Sequence, residues 1–189
     1  MSQIDTRIAI IMAAEVIIKT QGLAKLTLSQ VAKEAGVSKG GLLYHFPSKE
    51  ALIQGMLEYS LNVFEDFIEK HIKHDKENGA WARGYIKGTF SPKNSVTGKE
   101  AASASALVAG SGLNPSLLKP YIDLQQEWIP SLCNDGLDEM TALLIRFAVD
   151  GLWLNEALGI KPLNSKDRNR FIEHLLLMTR SKETPSASD

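Results

Sequence analysis

Apolar residues recur with a helical period along almost the whole chain. Ile4, Ile8, Ile11, Met12 and Val16 fall three or four apart and Gly22 follows them, which predicts an amphipathic helix over residues 4 to 20. Thr27 with Gln30 three places on has the form of a capping box. Leu28, Val31, Ala32 and Ala35 continue from it as an i, i+3, i+4, i+7 stripe that ends at Gly36. Only Gly36 and Val37 separate this helix from Ser38, the cap of a third, short helix that Pro47 closes. Two short helices joined by so tight a turn, after a longer one, make a helix-turn-helix.

Ser48 caps a long fourth helix. Leu52, Met56, Tyr59, Val63 and Phe67 form one stripe on it, and Ile53, Leu57, Leu61, Phe64 and Ile68 a second, out to about His71. Such a helix packs on two sides and connects two cores. Polar residues from Lys73 to Gly79 read as a loop, and Trp81, Tyr85, Ile86 and Phe90 predict a helix ending near Pro92. "KEAASASALVAG", residues 99 to 110, suits a thin helix, bounded by Gly110, Gly112 and Pro115. "SLLKPYIDLQQEWIPSLC" predicts a helix that Pro120 and Pro130 kink or bound. From Asp138 to about Leu158 the sequence is apolar nearly all round, so that helix is central or at an interface. Ser165 opens the last helix, with a wide stripe of Phe171, Ile172, Leu175, Leu176, Met178 and Thr179. The result is an all-α chain of about nine helices, with no strand-like alternation and no internal repeat. Its parts are an N-terminal helix-turn-helix domain over residues 1–47, a helical domain over 48–181 that begins with the connecting helix, and a tail, 182–189, whose lack of apolar residues predicts disorder.

Composition changes this picture little. With 189 residues, 44% of them hydrophobic, the chain has enough apolar sequence for real cores. The single cysteine, Cys133, excludes an internal disulfide and is read as a packed thiol. No run approaches eighteen uninterrupted apolar residues, and MSQIDTR lacks the basic start of a secretory signal. A cytoplasmic protein without membrane partners is expected. The net charge of −1 argues against a protein that coats nucleic acid. Residues 1 to 50, however, carry Arg7, Lys19, Lys25, Lys33, Lys39 and Lys49 against Asp5, Glu15, Glu34 and Glu50, which permits a basic face at that end.

"SKGGLLYHFPSKEAL", residues 38 to 52, places two glycines inside a helix at about 1 kcal/mol each against alanine. A helix-turn-helix presents its last helix to the major groove. Leu42 and Phe46 form the inward face, which leaves Lys39, Gly40, Gly41, Leu43 and Tyr44 outward. Bare positions at 40 and 41 let the backbone approach base edges, with Lys39 reaching past to a guanine or a phosphate. Thr27, Ser29, Ser38, Tyr44, His45 and Lys49, with the free amides opening the fourth helix, flank this face as contacts to the DNA backbone.

On these residues the chain resembles the tetracycline-repressor (TetR) family. Residues 7 to 53 contain a helix, then "LTLSQVAKEAGVSKGGLLYHF", then "PSKEAL" opening the connecting helix. Many members carry Thr-Leu-Tyr where this chain has Gly41, Leu42 and Leu43, so the usual tyrosine contact is replaced by a leucine that can touch a thymine methyl but cannot donate to a phosphate. The resemblance implies a homodimer on a two-fold symmetric, double-stranded operator. It also implies a C-terminal domain that holds a small-molecule effector and weakens DNA binding when occupied.

For the dimer, pairing the last two helices of each chain gives a four-helix bundle through Phe171, Leu175 and Met178. For the effector, Trp81, Tyr85, Phe90, Tyr121, Trp128, Met140, Phe147 and Trp153 supply an aromatic and apolar set that core packing explains equally well. Asp150 and Asn155 stand in apolar sequence beside Trp153, and a buried carboxylate needs a partner, which makes a lipophilic cation the first candidate and neutral or acyl ligands the second. His71 and His74 sit at a helix end with only Asp75 beside them and are not read as a metal site, and "GSG" at 110 to 112 follows no strand. Neither cofactor nor catalysis is expected. Two alternatives stay open: a helical small-molecule-binding protein whose helix-turn-helix is not used on DNA, and a TetR-type activator.

Overall fold

α-Helices are the regular elements of the computed structural model, which describes residues 3–90 and 114–180. They are α1 (Gln3–Gln21), α2 (Leu28–Glu34), α3 (Lys39–His45), α4 (Lys49–His74), α5 (Ala80–Phe90), α6 (Lys119–Cys133), α7 (Glu139–Ala157) and α8 (Ser165–Met178). The helix expected over 99–110 and the tail lie outside the described residues. Short 3-10 turns at Leu23–Lys25 and Pro115–Leu118, which periodicity does not signal, lead into α2 and α6.

Local chemistry sets the boundaries. The Thr27 hydroxyl accepts from the Gln30 amide at 3.3 Å and donates to the Gln30 side chain at 2.8 Å. Ser38, Ser48 and Asp138 accept in the same way from Gly41, Ala51 and Thr141, and each opens a helix. After α2 the Val37 amide reaches back to the Ala32 carbonyl at 3.0 Å and Gly36 takes φ +67°, the left-handed stop that makes the turn of the helix-turn-helix so short.

Residues fall into two compact units. One contains the chain up to Leu61 together with residues 114–122; the other runs from Asn62 to Phe90 and from Asp123 onward, and α4 belongs to both. In the first, Ile10, Ile11, Ala14 and Ile17 of α1, Val31 of α2, Leu42 and Phe46, and Leu52 and Met56 of α4 form one core. In the second, α5 packs against α7 and α8 and has nine of its eleven residues buried. Asp135 caps α5 from the far side of α6, its carboxylate accepting from the amides of Trp81 at 2.9 Å and Ala82 at 2.8 Å.

Arg83 ties the ends of three segments of this second unit. Its guanidinium makes a two-pronged pair with Asp75 at 2.6 and 2.7 Å and donates to the carbonyls of Glu77, Asn78 and Thr179. The arginine holds the Asp75 carboxyl well below its ordinary range. Beside it, burial and the nearby Lys87 push the His71 imidazole down. Among the described residues no helix is long and apolar enough to cross a membrane.

Candidate functional site

Two sites stand out, one in each unit. The first is the outer face of α3. Leu42 and Phe46 are buried as their spacing predicts, and the Phe46 ring lies against Gly55 of α4, where an added Cβ would come within 2.5 Å of it. The Arg7 guanidinium covers that ring at 5.1 Å and reaches Glu58 at 3.7 Å. α3 is thereby held at its closing end, and its other face is turned out: Lys39, Gly40, Leu43 and Tyr44 are exposed, Tyr44 at 72%.

The remaining residues expected on this face divide. Thr27 and Ser29 are exposed, and Ser38 is exposed with its hydroxyl used as a cap. His45 is half-buried and meets Tyr44 edge-on at 5.2 Å. Gly41 is half-buried, and a Cβ there would lie 3.2 Å from the Ser38 hydroxyl, so it also protects the cap. Lys49, expected as a phosphate contact, donates to the Leu23 carbonyl at 3.2 Å and holds the 3-10 turn to the start of α4.

The second site is a box of rings. Phe64 of α4, Trp81 and Tyr85 of α5 and Trp128 of α6 meet with centroids 5.2 to 6.3 Å apart, Trp81 and Tyr85 stacked and the others tilted or edge-on. Over them lies a charge. The Arg146 guanidinium of α7 is 4.6 Å from the Tyr85 centroid and 5.2 Å from that of Trp128. Arg146 is 2% exposed and pairs with Asp150, one turn on, at 2.8 Å. It donates to the Gln125 side chain as well, and the Tyr85 hydroxyl donates to the other oxygen of Asp150. Glu65 closes one side, accepting from the Trp128 indole at 3.4 Å, and burial raises its carboxyl above the ordinary range.

Tyr85, Trp81, Trp128 and Asp150 are thus brought together, and within the chain Asp150 has a partner in Arg146. The signal was present: Arg146 and Asp150 stand four apart in an apolar helix, the spacing of neighbours on one face. Gln125, Phe64 and Glu65 carried no comparable mark. Phe90 is buried, with Arg168 at 5.3 Å from its ring, and half-buried Trp153 takes no part in the ring contacts of the box. Met140 and Phe147, expected at the effector, lie on the outer face of α7 with Leu144 and Leu154, Phe147 at 67% exposure. Helical period explains the split, since Ala142, Ile145, Val149 and Leu152 form the buried face. Of the residues expected at a dimer contact, Phe171 and Met178 are half-buried, whereas Leu175 is 3% exposed within the chain's own core.

An outward recognition helix in one unit and a charged aromatic box in the other define a class, the DNA-binding regulator with a helix-turn-helix head and a helical sensing domain. Residues 10–56 match the family of bacterial regulatory proteins called tetR, and residues 79–180 match the tetracyclin repressor-like C-terminal domain. The chain belongs to the TetR family, whose members are ligand-responsive, DNA-binding transcriptional regulators. It is 28% identical to the HTH-type transcriptional regulator BetI 2 of Chromohalobacter salexigens over 165 residues, 82% of this chain and 79% of that one. Its fold is similar to that of a transcriptional regulator from Saccharomonospora viridis in complex with choline, at a TM-score of 0.73 and 19% identity over 91% of this chain and 94% of that one. It is also similar to that of the multidrug binding protein EbrR complexed with ethidium, at 0.60 and 24% over 92% and 98%.

Proposed function

We propose that the protein is a homodimeric repressor that holds a two-fold symmetric operator with α3 of each copy and releases it when a small organic effector enters the aromatic box. One observation carries this reading: the exposed side of α3 presents Lys39, Gly40, Leu43 and Tyr44 together. These groups serve DNA well. A lysine reaches guanine or phosphate, a leucine meets a thymine methyl, and a tyrosine hydroxyl bonds to a phosphate.

The apolar stripe of Met140, Leu144, Phe147 and Leu154 on α7, with Leu177 on α8, supports the dimer. A stripe of that kind marks an interaction surface, and pairing it about a two-fold axis matches the symmetry of an operator. The two fold relatives in complex with choline and with ethidium support an organic effector, since both of those molecules are cations and the box is lined with ring faces.

A gel shift with DNA from beside the protein's own gene tests the reading. Binding to a palindromic fragment, lost in a Lys39→Ala, Tyr44→Ala double variant and reversed by an organic ligand, is the expected result. Unchanged affinity and specificity in the double variant would remove α3 from the contact.

A further inference from the structure

We propose that Arg146 is a built-in stand-in for the effector, and that the effector is an organic cation which binds by displacing the Arg146 guanidinium from the aromatic box. This rests on the reading of the box as the effector site and names the chemistry that site accepts.

Geometry supports the exchange. Rings with centroids 5.2 to 6.3 Å apart are already in contact, so nothing further stacks among them unless something leaves. The guanidinium is the group that can leave. It stands over two ring faces on a long, flexible stem, while Phe64, Trp81, Tyr85 and Trp128 are rigid rings that brace one another from three helices. An exit is at hand, since its partner Asp150 is 30% exposed on its side chain.

The chemistry left behind selects the charge of the replacement. With Arg146 swung out, the box keeps the carboxylate of Asp150, oriented by the Tyr85 hydroxyl, and that of Glu65, held on the Trp128 indole, around ring faces of negative potential. An anion entering there meets two carboxyl groups and repulsive ring faces. A neutral compound leaves Asp150 without its counter-charge in a half-buried place, which is unfavourable. An organic cation restores both the ion pair and the cation–π contacts, while its apolar body gains the burial that the arginine stem gives up. Arg146 therefore competes with the effector for its own site, and sets a threshold below which the box stays closed.

Phenyltrimethylammonium, its neutral isostere tert-butylbenzene and the anion benzenesulfonate are suitable probes. In the wild-type protein, phenylglyoxal labelling followed by peptide mapping reads whether Arg146 is covered. Phenyltrimethylammonium should raise labelling at Arg146 several-fold. Tryptophan fluorescence should show Arg146→Met binding this cation about tenfold more tightly than wild type, a change of roughly 1.4 kcal/mol, because the competitor is gone. Adding Asp150→Asn to that variant should abolish the gain. The proposal is overturned if the cation binds neither protein, if it binds while Arg146 stays protected, or if Arg146→Met loses affinity for benzenesulfonate without gaining any for the cation. Should Arg146→Met fail to fold, the wild-type labelling alone decides. Operator release measured on the same samples separates the two readings. Cation binding that exposes Arg146 but leaves the operator bound refutes the effector role and upholds the displacement; release by tert-butylbenzene with Arg146 still covered does the reverse.

Discussion

Gly40 is exposed and helical, and a Cβ built on it would meet no atom within 4 Å. Nothing among the described residues accounts for the glycine, and on the proposed function the close approach of DNA does. Gly40→Ala should therefore raise folding stability by about 0.5–1 kcal/mol, seen as a higher thermal midpoint, while operator affinity falls. A variant both more stable and equally tight on the operator would remove Gly40 from the interface. Gly79 is the opposite case. It has φ +81°, and an added Cβ would lie 2.3 Å from the Thr179 carbonyl oxygen, a backbone atom that cannot step aside. Gly79→Ala should cost about 2 kcal/mol or more of stability, measured by urea unfolding.

At the scale of elements, the caps explain why so much of the fold was legible. Thr27, Ser38, Ser48 and Asp138 each satisfy amides within three residues, so the sequence alone sets those helix starts. Periodicity also sorted α3 into Leu42 and Phe46 inward and Tyr44 outward. It failed where partners are distant. Asp135 reaches α5 across more than fifty residues and Arg83 reaches Thr179 across more than ninety, and period tells which face is buried but not against what. It also could not say which apolar face of α7 the chain itself covers. The Arg83 staple carries a pH dependence whose sign is fixed. The Asp75 carboxyl is depressed in the fold, so its contribution is present above the ordinary value of 3.8 and is lost as pH falls. His71 is depressed from 6.5, so the unfolded chain takes up its proton first and falling pH again favours unfolding. Stability should therefore start to decline on acidification below about pH 6.5. In His71→Gln the decline should begin only near the carboxylate range, which denaturant midpoints at pH 7.5, 6 and 5 would reveal.

On the whole-molecule scale, α7 and α8 make separable demands. A glutamate at Phe147 or Leu144 lies on the exposed stripe and should halve the mass seen by light scattering and weaken operator binding, with helix content unchanged. Leu175→Ala lies in the chain's own core and should instead cost about 2–5 kcal/mol of stability. A stable wild-type monomer at micromolar concentration would contradict the dimer. The capping of α5 by Asp135 bears on how the molecule is made. Residues 80–90 leave the ribosome well before Asp135, and a lone helix of eleven residues is marginal in water. Until Asp135 and then residues 139–157 have emerged, Trp81, Tyr85, Ile86 and Phe90 have neither a capped helix to sit on nor α7 to cover them. The DNA-reading helices α1 to α4 emerge first and lack only Leu117 of their core, so on the ribosome most of the reader can take shape while the sensor is still an open chain with its apolar side chains uncovered.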